Sequence, residues 1–507
     1  MSANRLRQKE PGLVPLKILI VAAEAVPFAK VGHVAEVTGS LPLALKNLGH
    51  DVRVVIPRYG RIDPIKFDLK PVGHTFKVPI NSHLENVYVT ETTVPTNQPH
   101  HEVPFYFINN EKYFDREGIY SYADDDERFV LFCRSVLQML PHLEWQPDII
   151  HCHDWHTAII PNLLKTLYAH DPFYQDVATV YTIHNLAYQG LFGPRVLEIA
   201  GIADYNFVYP QPDDSNMISL MSLGIQNADV ISTVSPTYAK EILTPQYGEN
   251  MDGLLNQRQE RLFGILNGIN TDYFNPATDR FIHSNYDINN LTAKTQDKTD
   301  LQSSFQLPIK PNVPLIGMVT RLANQKGLDI VAQIIEPLLH LDVQFALMGT
   351  GDQYYHELFE QIAKKYPDKV TVTFIFNSAL AQRIYAGSDM LLMPSRFEPC
   401  GLNQMIAMRY GTVPIVRSTG GLTDTVENLD PYTGRGNGFT FEEYEPDALF
   451  AALKRAIETY KNAATWQQLM WRAMETDHSW QVSAASYVEL YYKAQVFHIT
   501  DALQEAR

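Results

Sequence analysis

Residues 17–57 read KILIVAAEAVPFAKVGHVAEVTGSLPLALKNLGHDVRVVIP. Lys17–Ala23 is a short apolar run, the pattern of a parallel strand buried on both faces. Val34, Val37, Leu41, Leu45 and Leu48 then recur three or four residues apart, as one face of a helix does. Gly49 stands where that helix should stop, and Asp51–Pro57 is a second strand pattern. Strand, loop, helix, strand is a βαβ unit, and it demands a parallel sheet with helices on both faces.

The alternation continues along the chain. DIIHCHD (148–154), VATVYTIHN (177–185) and DVISTVS (229–235) read as strands separated by helical stretches, and LFGILN (262–267) runs into Gly268. A second series follows, with strands expected at 313–320, 343–349, 370–376, 389–395 and 412–417. Its helices are expected at 327–340, 353–366, 378–387, 402–410, 421–428, 445–460 and 464–476. The chain thus reads as α/β, with two doubly wound halves joined near 268, a helical tail over 480–507 and a loose leader over 1–15.

Composition narrows the function. The chain has 507 residues, 45% hydrophobic and 19% charged, which excludes collagen-like, coiled-coil and largely disordered classes. Forty-one Lys and Arg against 57 Asp and Glu give a net charge of −16, so nucleic acid and anionic membrane surfaces are not expected partners. Cys133, Cys152 and Cys400 have the spacing of neither a disulfide framework nor a zinc ribbon, which points to a reducing cytoplasm. No run approaches the ~20 apolar residues of a membrane span.

In open α/β sheets ligands bind beyond the carboxyl ends of the strands, so the loops after strands hold the chemistry. Glu24–His33 (EAVPFAKVGH) combines Gly32, whose backbone an anion can approach, with Lys30, which can neutralise a phosphate; a turn with a solvated lysine is the other reading. Thr320–Gly327 (TRLANQKG) sets Arg321 and Lys326 five residues apart where a helix opens, as a diphosphate clamp or as two surface cations. Pro394–Leu402 (PSRFEPCGL) fixes Glu398 at a rigid turn, where it can hold sugar hydroxyls or stabilise a developing cation; a structural ion pair with Arg396 is the alternative. In Ser418–Leu422 (STGGL), Gly420 and Gly421 would free two backbone amides for phosphate oxygens.

Two patterns imitate metal chemistry. His151, Cys152, His153 and His156 form a cluster in sequence, but strand alternation puts Cys152 opposite the two histidines, and no metal site is expected. Asp124-Asp125-Asp126 precedes the helical stretch Arg128–Leu140 and reads as N-capping and first-turn acids.

Seven stretches together resemble one family, the bacterial glycogen synthases and plant starch synthases. They are HDWH (153–156), TIHNLAYQG (182–190), TVSPTYAKEI (233–242), GILNGI (264–269), RLANQKGLD (321–329), SRFEPCGL (395–402) and STGGLTDTV (418–426). The resemblance runs from about Lys17 to Tyr492. It implies a GT-B fold of two Rossmann-like, doubly wound domains facing a central cleft. An acceptor domain is expected over 16–267, a donor domain over 268–479, and a final helix over 480–507 that returns to the first domain. The implied activity is transfer of glucose from ADP-glucose to the non-reducing end of an α-1,4-glucan (glycogen or a malto-oligosaccharide), with retention and with neither metal nor cofactor.

The resemblance also assigns roles by motif. Glu398 would lie near the transferred glucose, Arg321 and Lys326 at the diphosphate, and Asp154 and His184 near the reacting sugar on the acceptor half. Lys30 and Gly32, Asn185 and Asn267, and Cys400 and Gly401 would contact substrate, with Thr419, Gly420 and Gly421 presenting backbone to phosphate.

The first loop departs from the family pattern K-T/V-G-G-L-A/G-D-V. His33 stands at the second glycine and Glu36 at the aspartate. If that glycine serves a positive φ or a close approach, His33 carries a cost of about 1 kcal/mol or more. Asn270 replaces the aspartate of N-G-I/V-D, and Ile375-Phe376 stand where a Gly-Tyr/Phe pair is common. His33 therefore raises a second possibility, a weakly active or non-catalytic paralogue that binds glucan or nucleotide sugar. HDWH and TIHNLAYQG argue against a transferase with a small acceptor, and the missing G-x-G-x-x-G against a dinucleotide dehydrogenase.

Overall fold

The computed structural model describes residues 14–205 and 217–505, so residues 1–13 of the expected leader lie outside the description. The described residues form two compact units. One lies within 1–234, 239–265 and 480–507, and the other is made by 235–238 and 266–479.

The first unit is built on a nine-stranded sheet. Lys17–Val21 is paired in parallel with Asp51–Pro57 on one side and Ile149–His153 on the other. Ile18, Leu19, Ile20 and Val21 are fully buried, because helices cover both faces of a parallel sheet. Ala178–Ile183, Val230–Thr233 and Leu262–Gly264 extend the sheet in parallel. Beyond Asp51–Pro57 lies Glu102–Asn109, and onto it folds an antiparallel hairpin, His83–Pro95 with Lys70–Ile80. That edge has no counterpart in the sequence reading. Lys70–Ile80 buries only Phe76, Val78 and Ile80, so it lacks the apolar run that marks the central strands.

The helix Val34–Asn47 buries Val37, Leu41 and Leu45 as its spacing predicts, while Leu48 is its half-exposed C-cap. The helix Trp480–Glu505 packs against Val34–Asn47 and the strands Ala178–Ile183 and Val230–Thr233. The Asp124–Asp126 run meets expectation in part: Asp125 and Asp126 stand in the first turn of a helix, but the capping does not hold. Asp124 precedes the helix Asp125–His142 but caps no helical amide; it is ion-paired with Arg116 at 2.6 Å. Asp125 accepts the N–H groups of Ser121 and Tyr122 and pairs with the fully buried Arg128.

The second unit carries a six-stranded, all-parallel sheet. Its order is Val370–Thr373, Gln344–Met348, Leu315–Val319, Met390–Met393, Val413–Arg417, Phe439–Phe441. The helix Leu328–Leu339 lays Leu328, Val331, Ile334 and Leu338 into its core. Several elements are shorter than expected, and for two of them the cause is visible. The strand at 370 ends at Thr373, because Ile375 and Phe376 are exposed and Asn377 already caps the next helix through the Leu380 N–H at 3.0 Å. The helix expected over 421–428 is Gly420–Thr425, ended by the extended backbone of Val426.

Candidate active site

In the first unit the strand order reverses between Lys17–Val21 and Ile149–His153. The loops after these two strands therefore open at one switch point, where open α/β sheets bind ligands. Glu24 begins the first of these loops. Its carboxylate is only 2% exposed and accepts the N–H of Gly32 at 3.1 and 3.2 Å, the N–H of Val31 and the Tyr120 hydroxyl. Burial pushes this carboxyl up, against the pull of those hydrogen bonds. The sequence reading missed Glu24, and it took the Gly32 amide for an anion donor when a carboxylate already holds it. Lys30 is ion-paired with Glu36. His33 is the N-cap of the helix with φ −72°, so the feared left-handed strain is absent.

The second loop begins at Asp154, which takes a φ of 55°, a left-handed conformation that Asp tolerates. This turn aims its carboxylate at the next strand's loop, where it accepts the N–H of His184 at 2.8 Å and that of Asn185. Burial pushes Asp154 up to about 7; the two amides lower it and the charge of Glu24 raises it. His184 Nε2 lies 2.9 Å from His153 Nδ1. Burial holds His184 down at about 3 and His153 well below its ordinary value, so the pair is neutral. The Asn185 side chain closes its own turn on the Ala187 N–H at 3.0 Å. His151, behind them, contacts Thr182 Oγ1 at 2.6 Å and the Tyr491 hydroxyl at 3.0 Å. HDWH and TIHNLAYQG thus form one constellation. Even the glycine that ends the second motif belongs to it: a Cβ on Gly190 would lie 2.5 Å from the Trp155 ring.

In the second unit the order reverses between Leu315–Val319 and Met390–Met393. The loops that follow are the two that carry Lys326 and Glu398. Lys326 Nζ lies 2.6 Å from Glu398 Oε2, and Ser395 Oγ donates to the same oxygen at 3.0 Å. Arg321 joins through Gln325, whose Oε1 accepts from its guanidinium at 2.9 Å. The Arg396 N–H donates to the Gln325 carbonyl at 2.9 Å, which ties the two loops together. Arg396 itself does not pair with Glu398. Its guanidinium reaches Asp329 at 3.0 Å and stacks on Tyr444.

The Gly420–Gly421 loop packs directly on this turn. A Cβ on Gly420 would lie 2.0 Å from the Glu398 carbonyl oxygen, and one on Gly421 2.2 Å from that of Cys400. The Gly421 N–H donates to the carbonyls of Glu398 (3.1 Å) and Pro399 (3.2 Å). It is therefore occupied, and the expectation of two free amides is corrected. The pair's demonstrable role is close approach. Cys400 is buried beside the Asn267 N–H, and burial pushes its thiol up to about 12, so it stays protonated. Asn267 is buried and its Oδ1 meets no partner among the described residues. Gly401 takes a φ of 71° at the end of the turn. Asn270 does what an aspartate would there, accepting the N–H of Asp272 and Tyr273 at 3.1 and 3.0 Å.

Known proteins resemble this chain over nearly its whole length. A family model described as the starch synthase catalytic domain matches residues 17–257, and one described as glycosyl transferases group 1 matches 300–468. A glycogen synthase of Desulforudis audaxviator is 48% identical over 488 residues, 95% of this chain and 97% of its own. The chain belongs to the glycogen and starch synthase family. A glycogen synthase of Moorella thermoacetica is 47% identical over 95% of this chain and 97% of its own. The catalytic domain of starch synthase IV from Arabidopsis thaliana, solved with ADP and acarbose, has a TM-score of 0.88 and 34% identity, over 95% of this chain and 100% of that one. Sucrose-phosphate synthase from Thermosynechococcus elongatus, 17% identical at a TM-score of 0.57 over 94% of this chain and 98% of its own, shares the fold alone. The fold is GT-B, and the chain is a glucosyltransferase of glycogen or starch synthesis. The non-catalytic reading is not favoured, since its one motive, strain at His33, is absent. No helix among the described residues is long and apolar enough to cross a membrane.

Proposed function

We propose that this synthase transfers glucose from ADP-glucose to the non-reducing 4-hydroxyl of an α-1,4-glucan, with retention of configuration. The second unit is the donor half and the first the acceptor half. The observation that carries the reading is the Lys326–Glu398 pair, its carboxylate buried and its lysine partly so, with Ser395 at the switch point of a Rossmann-type sheet. The likeness to a starch synthase bound to ADP supports the adenine nucleotide as donor. Its acarbose supports a glucan as acceptor.

Cleavage of the bond between C1 and the phosphate oxygen builds negative charge on the leaving diphosphate and positive charge on the sugar. Arg321 and Lys326 stabilise the first, and the Glu398 carboxylate the second. The bond between the acceptor O4 and C1 forms on the face from which the diphosphate departs, and the hydroxyl proton passes to the leaving phosphate. Such a displacement depends on positioning more than on a protein nucleophile. Lys30 supplies a further cation toward the donor. Asp154, His184 and Asn185 hold the acceptor sugar, and Asn267, Gly32, Cys400, Gly401, Thr419, Gly420 and Gly421 shape the surfaces around the two substrates. The reaction is placed in the cytoplasm, which the three free, buried cysteines support. Glu398→Ala that retains the fold and the parent rate would remove Glu398 from this scheme; a loss on the order of 10²–10³ supports it.

A further inference from the structure

We propose that Glu24 is a positioning residue for glucosyl transfer: one buried carboxylate takes the backbone N–H groups of Val31 and Gly32 and so sets the loop from which Lys30 works. The inference rests on the reading of Lys30 as a cation for the donor.

Glu24 has the geometry of a clamp. Gly32 donates to both of its oxygens, at 3.2 and 3.1 Å, and Val31 donates to Oε2. The Glu24 backbone is itself anchored, since Thr38 Oγ1 in the following helix donates to its carbonyl at 2.5 Å. A carboxylate is the one side chain that offers acceptors on both oxygens; a carboxamide turns a donor toward one of the two amides. Space is also limited, because a Cβ on Gly32 would come within 3.3 Å of Glu24 Oε1. Asp154 uses the same device across the switch point, holding the successive amides of His184 and Asn185. Lys30 itself is half-exposed and its tip pairs with Glu36, so the place of its Cα follows from the backbone that Glu24 holds. Misplacement of a positioning group by about 1 Å costs up to ~10²-fold in rate.

The test uses the full chain and three variants, Glu24→Gln, Lys30→Ala and the double variant, with Glu24→Asp as the conservative rescue. Steady-state kinetics give KM for ADP-glucose, KM for glycogen and kcat. Deuterium uptake is followed in the peptide spanning residues 25–37. In Glu24→Gln the KM for ADP-glucose should rise about 10-fold or more while that for glycogen moves less than about twofold. Uptake in the peptide should speed up, and Glu24→Asp should recover part of both effects. In the Lys30→Ala background, Glu24→Gln should add less than about twofold, because the two act through one loop. Parent kinetics in Lys30→Ala would overturn the reading of Lys30, and the proposal with it. Impaired Lys30→Ala beside unimpaired Glu24→Gln would overturn the positioning role alone. If Glu24→Gln does not fold, Glu24→Asp decides by whether KM for ADP-glucose rises or stays at the parent value.

Discussion

Replacing Lys326 by Met removes the cation beside Glu398 and keeps the aliphatic stem. The two groups are 2.6 Å apart, with side chains 17% and 5% exposed, so water compensates the stranded carboxylate poorly. Removing one partner of a buried pair costs about 3–5 kcal/mol. At ~2–4 °C per kcal/mol for a domain of 150–250 residues, the second unit should melt on the order of 10 °C lower. Adding Glu398→Gln takes the stranded charge away, so the double variant should regain most of that stability. Activity should not follow. Loss of Lys326 takes a cation from the leaving diphosphate and should slow turnover ~10²–10³-fold, and the double variant should be no faster. Calorimetry and glycogen-dependent nucleotide release on the same preparations separate the two effects. A single variant that melts and turns over like the parent refutes the reasoning, as does a double variant no more stable than the single one.

Three further outcomes are expected. Gly421→Ala sets a Cβ 2.2 Å from the Cys400 carbonyl oxygen, so it should destabilise by at least about 2 kcal/mol and slow turnover; an unchanged melting point and rate would contradict the packing. His33→Gly relieves no strain at φ −72°, so stability should shift by only about a few tenths of a kcal/mol and turnover by less than about twofold; a sharp rise in turnover would revive the strained-loop reading. Asp154 titrates near 7 in the folded chain against an ordinary value of 3.8, so the native state keeps a proton that the unfolded chain releases between these values. Its contribution to stability therefore falls as pH rises through that window, by a few kcal/mol at most, and is flat above it. Denaturant titrations at pH 5 and pH 8 should show that loss reduced in Asp154→Asn; an equal loss in both proteins would contradict it.

The central strands were legible because burial on both faces leaves an uninterrupted apolar run, as in Lys17–Ala23. The hairpin Lys70–Pro95 was not, because a partly exposed edge carries no such run. The site divides in the same way. Lys326 and Glu398 each stood out in a loop between strand and helix, but their pairing spans 72 residues of sequence and needed the sheet order to appear. Arg396 looked like the nearer partner of Glu398 and instead turned to Asp329, which a helix start places beside it. Glu24 went unnoticed because a charge at a strand's end reads as solvated until its two amides are seen. The amides of Gly32 and Gly421 looked available for the same reason: what occupies them comes from other parts of the fold.

The most direct measurement is nucleotide release from ADP-glucose and from UDP-glucose, each with and without glycogen. ADP release that requires glycogen, with UDP-glucose turned over far more slowly, is the predicted result. Release from neither donor by a folded protein that still binds glycogen or ADP would contradict the assignment of glucosyl transfer to these residues.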